Sequence, residues 1–167
     1  MGERLTKDDV RKIQEEIEHR KLVVRQACLE DLKEARSHGD LSENFEYYAA
    51  KRERGKNEGR IRYLERVLKF AEIVEDELAD DEIGLNNTVK VLFIEDDEEE
   101  TYKIVTSIRQ DTLKNMVSIE SPVGKALMGH KAGETVTVQV SGNVSYELKI
   151  LEVTKTTDEA EDAIRGF

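Results

Sequence analysis

The chain has 167 residues, enough for one or two domains, and its equal shares of hydrophobic and charged residues, 38% each, exclude a large compact core. The first 75 residues carry 17 basic and 17 acidic side chains, so the entire net charge of −11 lies after them and excludes the second half as a binder of bare nucleic acid. A single cysteine excludes an internal disulfide, and no apolar run reaches the roughly 18 residues of a membrane span. The first residues lack the apolar segment of a signal peptide, so we expect a cytoplasmic protein.

The first half of the chain is predicted to form two long helices. Thr6 suits the N-cap of the first helix, and Asp9 three residues later completes a capping box. The apolar residues that follow recur mostly at steps of three and four and make a narrow stripe, which needs a partner helix. The second helix is expected from about residue 41 to 75. The two stripes comprise Val10, Ile13, Ile17, Val24, Cys28, Leu32 and Ala35 in the first helix, where Cys28 has a packing role, and Ile61, Leu64, Leu68 and Ala71 in the second.

Between the two helices the sequence predicts a sharp reversal. Gly39 suits the position just after a helix, because a left-handed backbone costs glycine little, and Asp40 is a good N-cap for the next helix. The turn would present two carboxylates, Asp40 and Glu43, with basic residues on both arms. Two interpretations stay open: the pair forms a capping box, or its carboxylates are metal ligands. They are not exclusive, because each carboxylate keeps free lone pairs.

The second half of the chain changes to a strand pattern and predicts an α+β domain, a small antiparallel sheet with one short helix. Gly84 and two asparagines mark a linker before the first strand, and Ser121-Pro122 begins the short helix. We therefore predict an N-terminal coiled-coil hairpin at 1–76, a linker at 77–87, an α+β domain at 88–154 and a mobile acidic tail at 155–167.

Two motifs resemble those of a known family. The stretch Gly39-Asp40-Leu41-Ser42-Glu43-Asn44, followed by Glu46-Tyr47 and Ala49-Ala50-Lys51, resembles the signature of the bacterial Gre transcript cleavage factors, GreA type. The stretch from Ser121-Pro122 to Gly129, with Gly133 after it, is similar to the C-terminal domain of that family. The resemblance covers residues of about 5–153. It implies an antiparallel two-helix coiled coil followed by an FKBP-like domain.

For function, the resemblance implies that the coiled coil enters the secondary channel of bacterial RNA polymerase while the C-terminal domain docks outside. The factor would stimulate the polymerase's own cleavage of backtracked nascent RNA and so rescue arrested complexes. Asp40 and Glu43 match the two tip acids that act on a catalytic Mg²⁺, which is shared with the polymerase and not tightly bound by the factor alone. The other site residues are Arg36, Lys51, Arg52 and Tyr47 for RNA contact, and Ser121 and Pro122 for polymerase docking.

The residue types fit this chemistry. Mg²⁺ takes six oxygen ligands in octahedral geometry, so two carboxylates on an exposed turn cannot hold it alone but can complete a site that another protein has half built. Basic side chains nearby can hold RNA phosphates. Two roles stay open for Tyr47: its ring stacks on a base, or it packs against the turn. We expect a monomer whose partners are RNA polymerase and the nascent RNA 3′ end, with no membrane involved.

Several positions depart from the family pattern and leave the strength of cleavage open. Ser42 stands where many members have Lys, Phe45 where a small residue is common, and Asp9 where Gly is usual. The common Pro near residue 26 is missing, and residues 154–167 extend past the usual end. Three alternatives remain: a channel-binding inhibitor that does not stimulate cleavage, a prolyl isomerase or chaperone, and a coiled-coil scaffold. The shortage of aromatic residues in the second half disfavours an isomerase, and a scaffold would not need the Asp40 and Glu43 pair.

Overall fold

The computed structural model describes residues 2–39, 44–75, 79–156 and 162–166. The chain divides into two compact units, one formed mainly by Val10–Ala71 and the other by Glu3–Asp9 together with Glu72–Gly166. The first unit is helical, and the second contains the sheet. The short segment that precedes the hairpin in sequence therefore belongs with the C-terminal half.

The helical unit is built from two arms. The first arm begins with the predicted capping box, which is confirmed: the Asp9 N–H donates to Thr6 Oγ1 at 3.1 Å, and the Thr6 N–H donates to Asp9 Oδ2 at 3.0 Å. This arm contains a five-residue π-helical segment, in which one turn is widened, where the sequence pattern predicted a continuous α-helix. The helices are α1 (Lys7–His19), the π-helical segment (Arg20–Val24), α2 (Arg25–Arg36) and α3 (Phe45–Phe70).

The buried stripe of each arm contains only part of the predicted pattern, because Val10, Ile17, Val24 and Ala71 are half-buried. In α3 the buried apolar residue after Leu64 is Val67, whereas the predicted Leu68 is only half-buried. The buried apolar residues of α3 therefore advance by three positions twice in succession, from Ile61 to Leu64 and from Leu64 to Val67. The buried apolar residues of the two arms are Ile13, Cys28, Leu32, Ala35, Ile61, Leu64 and Val67.

Polar side chains complete the buried face near the π-helical segment. Asn57 and Arg60 of α3 are each only 3% exposed. The Asn57 side chain accepts from Arg20 Nη1 at 3.1 Å and donates to the Arg20 carbonyl at 3.3 Å, while Arg60 Nε donates to Glu16 Oε2 at 3.2 Å. A buried polar pair of this kind favours one register of the arms over its neighbours, because any slip would leave its groups without partners.

The end of α3 is earlier than predicted. Ala71 has an extended backbone, and the following strand β2 (Glu72–Ile73) pairs in parallel with β1 (Arg4–Leu5). The expectation of a helix to residue 75 was therefore wrong, because the backbone of residues 72–74 bonds to the N-terminal segment: the Glu72 N–H donates to Glu3 and the Val74 N–H to Leu5, both at 2.9 Å.

The sheet of the second unit has five strands in the order β5-β4-β3-β7-β6. Its pairs are antiparallel except β4 with β5, because the chain between those strands crosses back through two 3₁₀ turns before β5 begins. The predicted α+β class, a helical hairpin followed by a mainly antiparallel sheet with one short helix, is confirmed. The elements are β3 (Thr88–Phe93), β4 (Glu98–Val105), β5 (Met116–Ser118), α4 (Pro122–Leu127), β6 (Thr135–Ser141) and β7 (Val144–Thr154).

The core of this unit lies against one face of the sheet. Ile83 and Leu85, from the segment that we predicted as a linker, are buried in it together with Leu127 of α4. The start of α4 matches the prediction, because Ser121 Oγ accepts from the Gly124 N–H at 3.0 Å and Pro122 is the first helical residue. A Cβ at Gly124 would lie 1.9 Å from the Ser118 carbonyl oxygen, so only glycine fits where α4 meets β5.

Candidate functional site at the end of the helical hairpin

The reversal between α2 and α3 begins as the sequence predicts. The Ser37 and His38 N–H groups bond back to the carbonyls of Glu34 and Ala35 at 3.0 and 3.2 Å, which closes α2. Gly39 then has φ of +121°, a backbone conformation that favours glycine over any residue with a side chain. The four residues that follow, 40–43, lie outside the described residues, and the roles predicted for Asp40 and Glu43 stay predictions.

The cap of α3 differs from the prediction. Asn44, and not Asp40, is the N-cap: its backbone is extended, and its Oδ1 accepts from the Tyr47 N–H at 3.0 Å. The prediction that α3 begins at about residue 41 was therefore wrong, because the helix begins at Phe45. A capping box between Asp40 and Glu43 themselves lies outside the described residues, so that interpretation stays a prediction. Sequence reasoning chose the earlier of two good N-cap residues, since Asp and Asn are nearly equivalent there.

Asn44 also contacts the other arm. Its Nδ2 donates to the Ala35 carbonyl in the last turn of α2 at 2.5 Å. One side chain therefore satisfies an N–H at the start of α3 and a carbonyl at the end of α2. A second link lies alongside, where His38 Nδ1 is 2.6 Å from Glu46 Oε2. These two contacts fix the distance between the ends of the segment that contains Asp40 and Glu43.

The residues predicted to contact RNA lie on both arms beside this reversal. The guanidinium carbon of Arg36 is 5.7 Å from the centroid of the Tyr47 ring, a cation–π arrangement that joins the end of α2 to the first turn of α3. Lys51 is one turn further along α3, and both Lys51 and Arg52 are exposed. The structure therefore brings Arg36 and Tyr47 together and leaves the two other cations accessible.

Aromatic side chains cluster at the same end. Tyr47 is half-buried, with the Tyr48 ring edge-on to it at 5.6 Å, whereas Tyr48 itself is 47% exposed. Phe45 is 87% exposed. Large exposed rings next to exposed cations are the features by which proteins hold single-stranded nucleic acid.

The body of the hairpin is held by a bidentate ion pair. Arg25 Nε and Nη2 donate to the two carboxylate oxygens of Glu58 at 2.7 and 2.9 Å. The hydrogen bond from Arg25 holds the pKa of Glu58 below its ordinary value, against the opposing effect of partial desolvation. Cys28 is buried between the arms, and desolvation raises the pKa of its thiol, which agrees with the predicted packing role.

The two docking residues predicted in the second unit have a structural role. The Ser121 hydroxyl donates to the Ser118 carbonyl at 2.6 Å and accepts from Gly124, so it holds the start of α4, while Pro122 is exposed beside it. Their contact with a polymerase stays a prediction. Within residues 2–39, 44–75, 79–156 and 162–166, no helix is apolar and long enough to cross a bilayer, and no group of three or more His, Cys, Asp or Glu could hold a metal ion.

The fold defines a class of protein that combines a helical hairpin with a small, mainly antiparallel sheet domain. The family described as "Transcription elongation factor, N-terminal" matches residues 3–73, and "Transcription elongation factor, GreA/GreB, C-term" matches residues 78–155. The chain belongs to this GreA/GreB family of transcription elongation factors.

Individual proteins and solved structures are similar to this chain. Transcription elongation factor GreA of Streptococcus pneumoniae serotype 19F (strain G54) is 46% identical over 153 residues, which cover 91% of this chain and 95% of the relative. Among solved structures, GreA factor homolog 1 (Gfh1) of Thermus thermophilus is 26% identical with a TM-score of 0.42, covering 92% of this chain and 99% of its own. A GreA/GreB factor from Nitrosomonas europaea is 32% identical with a TM-score of 0.40, covering 57% and 79%.

Proposed function

We propose that this protein enters the secondary channel of bacterial RNA polymerase with its helical hairpin and stimulates the polymerase's own cleavage of backtracked nascent RNA. The observation that carries the proposal is the family match at 3–73 and 78–155, which includes the Asp40-x-x-Glu43 turn. The cap of α3 supports it, because a helix that begins with Asn44 as N-cap does not need the Asp40 carboxylate for its start. The start of α3 is therefore compatible with a ligand role for Asp40.

The proposed task of Asp40 and Glu43 is to hold a Mg²⁺ ion together with the polymerase active site. Carboxylate oxygens are ligands that Mg²⁺ prefers, and two of them leave the remaining positions to the polymerase, the RNA and water. The ion, when bound, lowers the pKa of the attacking water. The protein is thus a factor that completes a hydrolytic site and is not a nuclease by itself.

The neighbouring side chains would position the RNA. The exposed cations Arg36, Lys51 and Arg52 can neutralise phosphates of the extruded 3′ segment, which positions the strand without reading its sequence. The Arg36 and Tyr47 pair offers a charged plane and an aromatic ring side by side to a nucleotide. Docking of the second unit near Ser121 and Pro122 would hold the factor on the polymerase as a monomer.

The test is to add the purified protein to stalled, backtracked elongation complexes and to measure short 3′ RNA fragments and the recovery of extension. We expect fragments to appear in proportion to the factor, and none when the factor meets the same RNA without polymerase. Slower extension without fragments would instead identify a channel-binding inhibitor. RNA hydrolysis by the factor alone would contradict the shared active site.

A further inference from the structure

The C-terminal segment after β7 contacts the second unit at two places. At the first, Thr156 Oγ1 donates to the Asn86 carbonyl at 2.5 Å, and the Thr156 carbonyl accepts from Asn87 Nδ2 at 3.2 Å. At the second, the Asp162 side chain is only 12% exposed, and the Arg165 N–H donates to the Ile108 carbonyl. The family match ends at residue 155, so both contacts are made by residues beyond it.

Asp162 lies between two cations. Its Oδ2 accepts from Lys103 Nζ at 2.8 Å and from Arg109 Nη1 at 2.9 Å. Burial raises the pKa of Asp162, but the hydrogen bonds from Lys103 and Arg109 outweigh this effect and leave the pKa below its ordinary value. The carboxylate is therefore ionised at neutral pH, and its charge is directed at a buried guanidinium.

Arg109 connects this carboxylate to the start of the first helix. Both Arg109 and Asp9 are fully buried, and Arg109 Nε donates to Asp9 Oδ1 at 2.6 Å. The other oxygen of Asp9 accepts from Thr106 Oγ1 at 2.6 Å and from the Thr6 N–H at 3.0 Å. Asp9 thus completes the capping box of α1 and pairs with Arg109 and Thr106 through one carboxylate.

A buried arginine is stable only when its charge and its donors are matched. Among the described residues, the cations Arg109 and Lys103 meet the carboxylates Asp9 and Asp162, and Asn86 Oδ1 accepts from Arg109 Nη1 at 2.7 Å. Removal of either carboxylate takes away one of the negative charges that contact the Arg109 guanidinium. The two carboxylates therefore act through the same guanidinium.

We propose that Asp162 is a positioning residue that completes the charge balance of Arg109 and thereby holds Asp9 and residues 3–9 on the second compact unit. These residues lead directly into the first arm of the hairpin. A segment beyond the family match thus determines how firmly the first turn of α1 is held. The effect on the fold is independent of the proposed function, and the effect on RNA cleavage depends on it.

The direct test is hydrogen exchange of the full-length protein, followed in peptides that cover residues 3–9. Asp162→Asn should speed exchange there at least tenfold. Asp81→Asn is the matched control, because Asp81 is an exposed carboxylate that pairs with Lys131 in the same unit and loses the same charge. Equal exchange in the two variants would overturn the proposal. A chain that ends at Thr156 should reproduce the Asp162→Asn result, and normal protection in that chain would also overturn it.

Two further readouts separate positioning from general stability. The effects of Asp162→Asn and Asp9→Asn on the melting temperature should be non-additive, because both carboxylates contact Arg109. Additive effects would contradict the connection.

In the cleavage assay, Asp162→Asn should lower the maximal rate at saturating factor about threefold or more, with little change in the half-saturating concentration. Asp162→Glu should restore part of the maximal rate. An unchanged maximal rate beside faster exchange would restrict the role of Asp162 to the fold and overturn its link to cleavage. If the wild type gives no cleavage at all, the proposed function fails while the exchange result still decides the role of Asp162.

Discussion

At the scale of single residues, Asn44 has the most consequential contacts near the tip. It bonds to the Tyr47 N–H of one arm and to the Ala35 carbonyl of the other, and so fixes both ends of the segment that carries the two acids. A carboxylate that must meet a metal in another protein's active site has to be presented within about half an ångström of the productive position. Asn44 is therefore expected to affect activity more than stability alone would explain.

Substitution of Asn44 separates its two bonds. Asn44→Ala removes both and should destabilise the protein by about 1 kcal/mol, the usual value of an N-cap. Asn44→Asp keeps the cap acceptor but loses the donor to Ala35, so it should retain most of the stability while still lowering the cleavage rate. Chemical denaturation and RNA cleavage at saturating factor measure the two effects. A fully active Asn44→Asp variant would show that the link to Ala35 has no role in presenting the tip.

At the scale of elements, local rules predicted those features that depend on residues close in sequence. The capping box of Thr6 and Asp9 and the start of α4 at Ser121-Pro122 were both predicted, because each is a complete motif within four residues. The start of α3 was predicted at the wrong residue, because Asp40 and Asn44 are both good N-cap residues and no local rule chooses between them. The end of α3 was missed for another reason, because its pairing with β1 joins residues almost 70 positions apart.

The exposed cations beside the reversal are expected to serve RNA contact and not folding. Arg36→Ala and Lys51→Ala should each weaken crosslinking to the RNA 3′ end in a backtracked complex. The free energy of unfolding should change by less than about 0.5 kcal/mol for Lys51, and slightly more for Arg36, which also loses its contact with Tyr47. Arg66→Ala is the control, because Arg66 is an exposed cation of the same helix as Lys51, about four turns further along. A loss of crosslinking as large in the control would contradict a local role at the tip.

At the scale of the whole molecule, the two compact units do not correspond to one continuous segment each. Glu3–Asp9 belongs with Glu72–Gly166, through the β1 and β2 pair and through the buried Asp9 and Arg109 pair. No sequence pattern could reveal the pair of Asp9 and Arg109, because the two residues are 100 positions apart and a chain this rich in charged residues offers many other possible partners for each.

This arrangement predicts how a separated C-terminal fragment behaves. In the full chain, Arg109→Met should lower the melting temperature by about 10 °C, since a buried carboxylate left without its partner costs about 3–5 kcal/mol. In a fragment of residues 72–167, which lacks Asp9, the same substitution should lower it much less. Thermal unfolding of the four proteins measures the difference. Equal losses in the full chain and the fragment would show that Arg109 stabilises the unit without Asp9.

The central claim is that the tip acids are metal ligands, and cleavage of RNA in backtracked complexes at several Mg²⁺ concentrations tests it most directly. Asp40→Asn and Glu43→Gln keep the size of each side chain but remove the charge that Mg²⁺ requires. With each variant at saturating concentration, cleavage should fall about a hundredfold or more, and added Mg²⁺ should restore part of it by mass action. The matched controls Asp31→Asn and Glu15→Gln, exposed carboxylates elsewhere on the hairpin, should cleave normally. Wild-type cleavage rates for both Asp40→Asn and Glu43→Gln would contradict the account.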